Sequence, residues 1–150
     1  MPAEFYLRPA GAADLAPLVE LDLLCFGRRA WPVKGWWEVV TEPGWTTLVL
    51  VEGHELVGAM VLLPARPVAC LASLAIHPDR RSQGLGSAML RHAVEESRRL
   101  RARFLALEVD AANRAARRLY AREGFGITRR FREDGHWRVE MHRRLGALTR

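Results

Sequence analysis

Lysine is almost missing from this 150-residue chain: Lys34 is the only one, so the net charge of +6 rests on arginine. Arginine suits phosphate because its planar fork donates paired hydrogen bonds. Here the arginines are scattered over the whole sequence, with Arg98, Arg99, Arg101 and Arg103 the densest group, and a solvated helix end explains that group as well as a nucleic-acid footprint does. Cysteine is scarce too. Cys25 and Cys70 stand far apart without the close pairing of a metal knuckle or redox motif, and read as reduced structural thiols. The histidines show no metal-ligand spacing: His77 falls where a strand meets a loop and His54 in a turn, both as surface residues. No apolar run approaches the length of a membrane span, and no repeat or low-complexity segment occurs. The opening Met1-Pro2-Ala3-Glu4 lacks the basic head and apolar stretch of a signal peptide, so a cytoplasmic protein is expected.

What remains has the length and apolar fraction of one domain with a single core. Phe5 to Arg8 reads as a short strand, and Ala12-Ala13-Asp14 opens a helix with Leu15, Leu18, Val19, Leu21 and Leu23 or Leu24 at roughly helical spacing. Residues 27–35 read as a loop, followed by a short helix around Trp36 to Val40 that Glu42-Pro43-Gly44 stops. Thr46 to Val51 and Leu56 to Leu63 make a hairpin, and Val68 to Ile76 a third strand ended by Pro78. A helix from about Leu85 to Leu100 carries Leu85, Met89, Ala93, Ser97 and Leu100 on one stripe. Phe104 to Val109 is nearly continuous apolar sequence, which predicts a strand covered on both faces. Asn113 caps a helix over Arg114 to Arg122 that Gly124 ends, and Asp134-Gly135 turns a last hairpin. The order predicts an α/β (α+β) domain with a mixed sheet.

Between the third strand and its helix stands Arg81-Ser82-Gln83-Gly84-Leu85-Gly86-Ser87. Glycine permits positive φ and close approach of a ligand to the backbone. The first amides of a helix are unpaired and carry the positive end of its dipole, so they can hold a diphosphate. No Gly-Lys-Ser/Thr ending makes this a nucleoside-triphosphate loop, and Met89 stands where a dinucleotide fingerprint needs its third glycine. On its own the pair of glycines is compatible with a phosphate cradle or with an ordinary turn.

Leu71 to Pro78 followed by Arg81-Ser82-Gln83-Gly84-Leu85-Gly86 resembles the coenzyme-binding motif of the GNAT superfamily of acetyltransferases. Downstream, Leu107-Glu108-Val109, Asn113, Ala116, Leu119-Tyr120 and Gly124-Phe125 are similar, in order and spacing, to bacterial N-alpha-acetyltransferases that modify the N-terminus of a ribosomal protein. Phe5 to Phe26 also reads like the opening of such enzymes, so the resemblance covers nearly the whole chain. It implies a central, mostly antiparallel mixed sheet of six to seven strands, flanked by about four helices and splayed between its two middle strands. It further implies acetyl-CoA as donor substrate, a primary amine as acceptor and no metal.

By the same resemblance, Arg81, Ser82, Gln83, Gly84, Leu85, Gly86 and Ser87 would hold the coenzyme pyrophosphate. Leu74, Ala75 and Ile76 would hydrogen-bond the pantetheine arm, with the Ile76 amide as oxyanion donor. Glu108 would take the amine proton, through water, and its burial would raise its pKa toward neutrality. The other use for Glu108 is an ion pair with an arginine. Tyr120 would protonate the departing thiolate, although an aromatic beside Leu119 also suits a core. Asn113 would hold the coenzyme while capping its helix.

The acceptor is less legible. Trp31, Trp36, Trp37 and Trp45 fall where the superfamily builds one wall of the acceptor cleft, and core packing claims at least half of them. The last hairpin turn, Glu133-Asp134-Gly135, is several residues shorter than the tyrosine-bearing loop of protein N-alpha-acetyltransferases, which leaves room for a more open cleft or a homodimer partner. A protein or peptide α-amine is the leading acceptor. A small amine, a non-catalytic acyl-CoA-binding domain and an RNA-binding module are the other readings; Glu108 and Tyr120 speak against the second of these and the scattered arginines against the third.

Overall fold

A computed structural model describes residues 4–146; the opening residues read for a leader lie almost wholly outside that span. Seven strands form one mixed, mostly antiparallel sheet in the order β1-β2-β3-β4-β5-β7-β6, accompanied by four α-helices. The chain divides into two compact units, Met1–Leu63 with Ser73–Met89, and Pro64–Ala72 with Leu90–Arg150.

The first unit holds β1 (Phe5–Pro9), α1 (Leu15–Phe26), α2 (Val33–Thr41), β2 (Thr46–Glu52) and β3 (Glu55–Leu63). It also takes the end of β4 (Val68–Ile76) and the head of α3 (Leu85–Arg99). β1 pairs antiparallel with β2, and β2 with β3, across the tight turn the sequence predicts at Gly53-His54. The core joins Leu18 and Leu21 of α1, Trp36 and Val39 of α2, Val49 and Val51 of β2, Ala59 and Val61 of β3, and Ala75 of β4. Each leucine and valine among them contributes roughly 1.5–3 kcal/mol on full burial.

Asp22 is 3% exposed within this core. Its Oδ2 accepts the Trp31 amide at 2.6 Å and the Trp36 indole N–H at 2.9 Å. One carboxylate thereby joins α1 to the start of α2, and the Trp31 and Trp36 rings meet at 4.9 Å. α2 begins at Val33, inside the stretch expected to be loop; Pro32 stands extended at its cap, and its carbonyl accepts the Gly35 amide at 2.9 Å and the Trp36 amide at 3.3 Å. Residues Gly27–Arg29 form a 3-10 turn. α1 is likewise preceded by a 3-10 turn, Ala12–Asp14, in which buried Asp14 takes a bidentate hydrogen bond from Arg8 at 2.8 Å and one from the Gly11 amide at 2.8 Å.

The second unit holds the start of β4, the body of α3, β5 (Phe104–Asp110), α4 (Arg114–Arg122), β6 (Gly126–Glu133) and β7 (His136–Arg144). β4 and β5 run parallel, from Val68–Phe104 to the last register pair, Leu71–Leu107. The helical crossover α3 makes that possible. β7 pairs antiparallel with β5 and with β6, leaving β6 at the sheet edge. On α3 the predicted stripe is buried at Leu85, Met89, Ala93 and Ser97, while Leu100 lies past the helix end and is half-buried; the hydroxyl of Ser97 donates to the Ala93 carbonyl at 2.8 Å.

β5 corrects one expectation. Only Leu105, Leu107 and Val109 are buried, while Phe104 and Ala106 are half-buried and Glu108 is exposed. The strand is covered on one face, since its period of two sends every second side chain to the other.

Candidate active site

The loop from Ile76 to Leu85 lies within the first unit. Gly58 lets β3 approach it closely, since a Cβ there would stand 3.0 Å from Leu50 Cβ and 3.2 Å from the Ala75 carbonyl oxygen. At the strand end the His77 amide donates to the Val57 carbonyl at 2.8 Å. The 3-10 turn Pro78–Arg80 is capped by His77, whose Nδ1 accepts the Asp79 amide at 3.0 Å. Arg80 reaches Glu52 of β2 at 2.8 Å, and Arg81 folds back so that its Nε donates to the Ile76 carbonyl at 3.2 Å. The thiol of Cys25 donates to the same carbonyl at 3.4 Å. These contacts fix the first half of the loop.

Inside the loop Ser82 (φ 65°) and Gly84 (φ 79°) both take left-handed backbone conformations. The Ala88 amide closes the first helical bond, to the Gly84 carbonyl at 3.1 Å. The amides ahead of it, including those of Leu85, Gly86 and Ser87, stand at the helix head outside the helix ladder. Arg81, Ser82, Gln83 and Gly84 are exposed. An exposed loop leading into unpaired helix-head amides is chemically able to hold an anion. Ser82 breaks the rule that glycine marks such positions, and its conformation had no signal in the sequence.

The second unit carries Glu108, Asn113 and Tyr120. Exposure of Glu108 overturns the buried base expected at this position. The strand's larger apolar residues, Leu105, Leu107 and Val109, claim the covered face, so Glu108 is left on the open one with Ala106. In register, Glu108 stands opposite Glu140 of β7, and Ala106 opposite both Cys70 of β4 and His142 of β7. Glu140 accepts a hydrogen bond from the Thr128 hydroxyl at 3.0 Å and lies 3.3 Å from His142 Nε2. Cys70 is half-buried, and burial, followed by the charges of Glu108 and then Glu140, pushes its thiol above the usual range.

Asn113 is the cap of α4, its side chain accepting the Ala116 amide at 3.1 Å. Tyr120 is buried, with its ring 6.1 Å from that of Phe125. Among the described residues its hydroxyl makes no hydrogen bond. Burial pushes the phenol up to about 12, so it keeps its proton at neutral pH. Of the tryptophans, Trp36 is core, Trp31 and Trp45 are half-buried and Trp37 is 48% exposed. No cluster of three or more potential metal ligands occurs among the described residues, and no helix there is long and apolar enough to cross a membrane.

The chain is 44% identical over 57 residues to the Escherichia coli (strain K12) protein named [ribosomal protein bS18]-alanine N-acetyltransferase, a match spanning 38% of each chain. The crystal structure of the ribosomal-protein-S18-alanine N-acetyltransferase from Escherichia coli has the same fold, with a TM-score of 0.85 at 22% identity over 97% of this chain and 96% of that one. A GNAT family acetyltransferase from Elizabethkingia anophelis, with acetyl-CoA bound, superimposes with a TM-score of 0.76 at 17% identity over 96% of this chain and all of that one. Residues 15–125 match the acetyltransferase (GNAT) family, and the chain belongs to it.

Proposed function

We propose that the chain acts as one acetyltransferase domain that moves an acetyl group from acetyl-CoA to a primary amine in the cytoplasm. The observation that carries this reading is the loop at the head of α3, where left-handed Ser82 and Gly84 lead into a helix whose first amides have no partner in the helix ladder. Arg81, Ser82, Gln83, Gly84, Leu85, Gly86 and Ser87 hold the pyrophosphate, Leu74, Ala75 and Ile76 the pantetheine arm, and Asn113 a further point of the coenzyme.

In the transfer the neutral amine nitrogen attacks the thioester carbonyl carbon; the C–N bond forms as the C–S bond breaks. Glu108 removes the amine proton through water, and the Ile76 amide donates to the carbonyl oxygen. Tyr120 supplies the proton to the coenzyme thiolate, a role that its retained proton supports. The exposed position of Glu108 supports relay through solvent over direct contact.

The acceptor we favour is a protein or peptide N-terminus, as acted on by the Escherichia coli relative named above. With a reference pKa near 8, roughly a tenth of an α-amine is already neutral at pH 7, against well under a thousandth of lysine, so a mild base suffices. The tight turn at Asp134 (φ 50°) and Gly135 (φ 78°) supports a second reading, in which a small amine enters a cleft that no long hairpin covers. Acetyl-CoA should raise the melting temperature, and Gly84→Glu should abolish that shift with the fold intact. An unchanged shift would overturn the loop assignment. A panel of peptides with varied N-termini beside small amines, read by mass spectrometry, decides between the acceptors.

A further inference from the structure

One face of α4 is basic and serves none of the roles described above. Arg114, Arg117, Arg118 and Ala121 line a cavity of about 570 Å³ whose other walls are Phe125, Ile127 of β6 and Met141 of β7. By helical spacing Arg114, Arg118 and Ala121 share a stripe of α4 that differs from the stripe of Asn113, Ala116 and Tyr120.

Two features set this face apart from a solvated one. The helix carries no acidic residue in its first turn, and Arg114 stands at its very start, where the helix dipole resists a cation. Arg117 and Arg118 follow it at three and four residues, a like-charge spacing that weakens a helix. Among the described residues none of the three forms a salt bridge; Arg117 Nη1 donates to the Ala111 carbonyl at 2.8 Å. Cations placed where the local helix disfavours them are an inconsistency of the kind that collects at binding sites.

We propose that this cavity binds a small organic diphosphate of the nucleoside diphosphate class, separately from the acetyl donor. Guanidinium forks match phosphate oxygens in pairs, and an anion here relieves both the mutual repulsion and the dipole conflict. The volume falls in the range of small-molecule sites. Ile127, 42% exposed, gives the organic part an apolar wall beside Met141 and Phe125.

Calorimetric titration of the full chain, saturated with acetyl-CoA, tests this with UDP, inorganic pyrophosphate and uridine. UDP should bind, pyrophosphate more weakly and uridine not at all. Arg114→Gln and Arg118→Gln should each weaken UDP roughly tenfold or more, with the acetyl-CoA thermal shift unchanged. Ile127→Ala should weaken UDP without affecting pyrophosphate. UDP that fails to bind, that binds equally to both arginine variants, or that acetyl-CoA displaces would overturn the site. Pyrophosphate binding as tight as UDP would overturn the organic ligand.

Discussion

Glu108 on β5 and Glu140 on β7 are cross-strand partners, so two carboxylates stand side by side on the open face of the second unit. Their shared neighbour is Cys70, whose thiol feels both charges. Glu108→Gln should lower kcat by about 10²–10⁴ with little change in acetyl-CoA affinity. The same substitution removes one of the charges that raise the Cys70 pKa, so more thiolate forms at a given pH. Alkylation of Cys70 at pH 8 should accelerate, while Cys25, raised chiefly by burial and without contribution from Glu108, should keep its rate. Unchanged kcat would remove Glu108 from catalysis, and unchanged alkylation would separate the two residues.

Tyr120→Phe keeps the ring beside Phe125 and removes only the proton donor. Turnover should fall by about 10²–10⁴, with the melting temperature nearly unchanged. The native phenol titrates at about 12 against 10 for the free group, so the folded state holds the proton more tightly than the unfolded chain. That stabilisation is fully present below pH 10 and is lost as pH rises from 10 to about 12. Chemical denaturation at successive pH values should show stability declining across this window in the wild type and less steeply in Tyr120→Phe.

Asp22→Ala leaves the Trp31 amide and the Trp36 indole without their acceptor. Each stranded donor costs about 1–3 kcal/mol, and urea denaturation should register a loss of that order. Combining Asp22→Ala with Trp36→Phe should give a loss smaller than the sum of the two, because both remove the same bond.

Gly58→Ala forces a Cβ within 3.2 Å of the Ala75 carbonyl oxygen and 3.0 Å of Leu50 Cβ, at a cost of about 1–3 kcal/mol. Since Ala75 and Ile76 carry the proposed pantetheine contacts, KM for acetyl-CoA should rise as well. A stability loss with unchanged KM would show that the strain is absorbed on the β2 side.

The boundaries of β4 and α4 were readable because local chemistry writes them: Pro78 closes the strand, Asn113 opens the helix and Gly124 ends it. Asp22 and Gly58 were not. What each does depends on a residue brought near only by folding, Trp36 in one case and Ala75 in the other. The exposure of Glu108 had a faint signal that the apolar run masked, namely larger residues at 105, 107 and 109 against Ala106 and Glu108. The arginines of α4 were visible one by one, but their common cavity came only with the strands that complete its wall.

The sheet ends at β6, where Arg129, Arg130 and Arg132 lie exposed. A second copy adding edge to edge would bring like charges face to face along the new seam. The strand is thus its own guard against sheet extension along this edge.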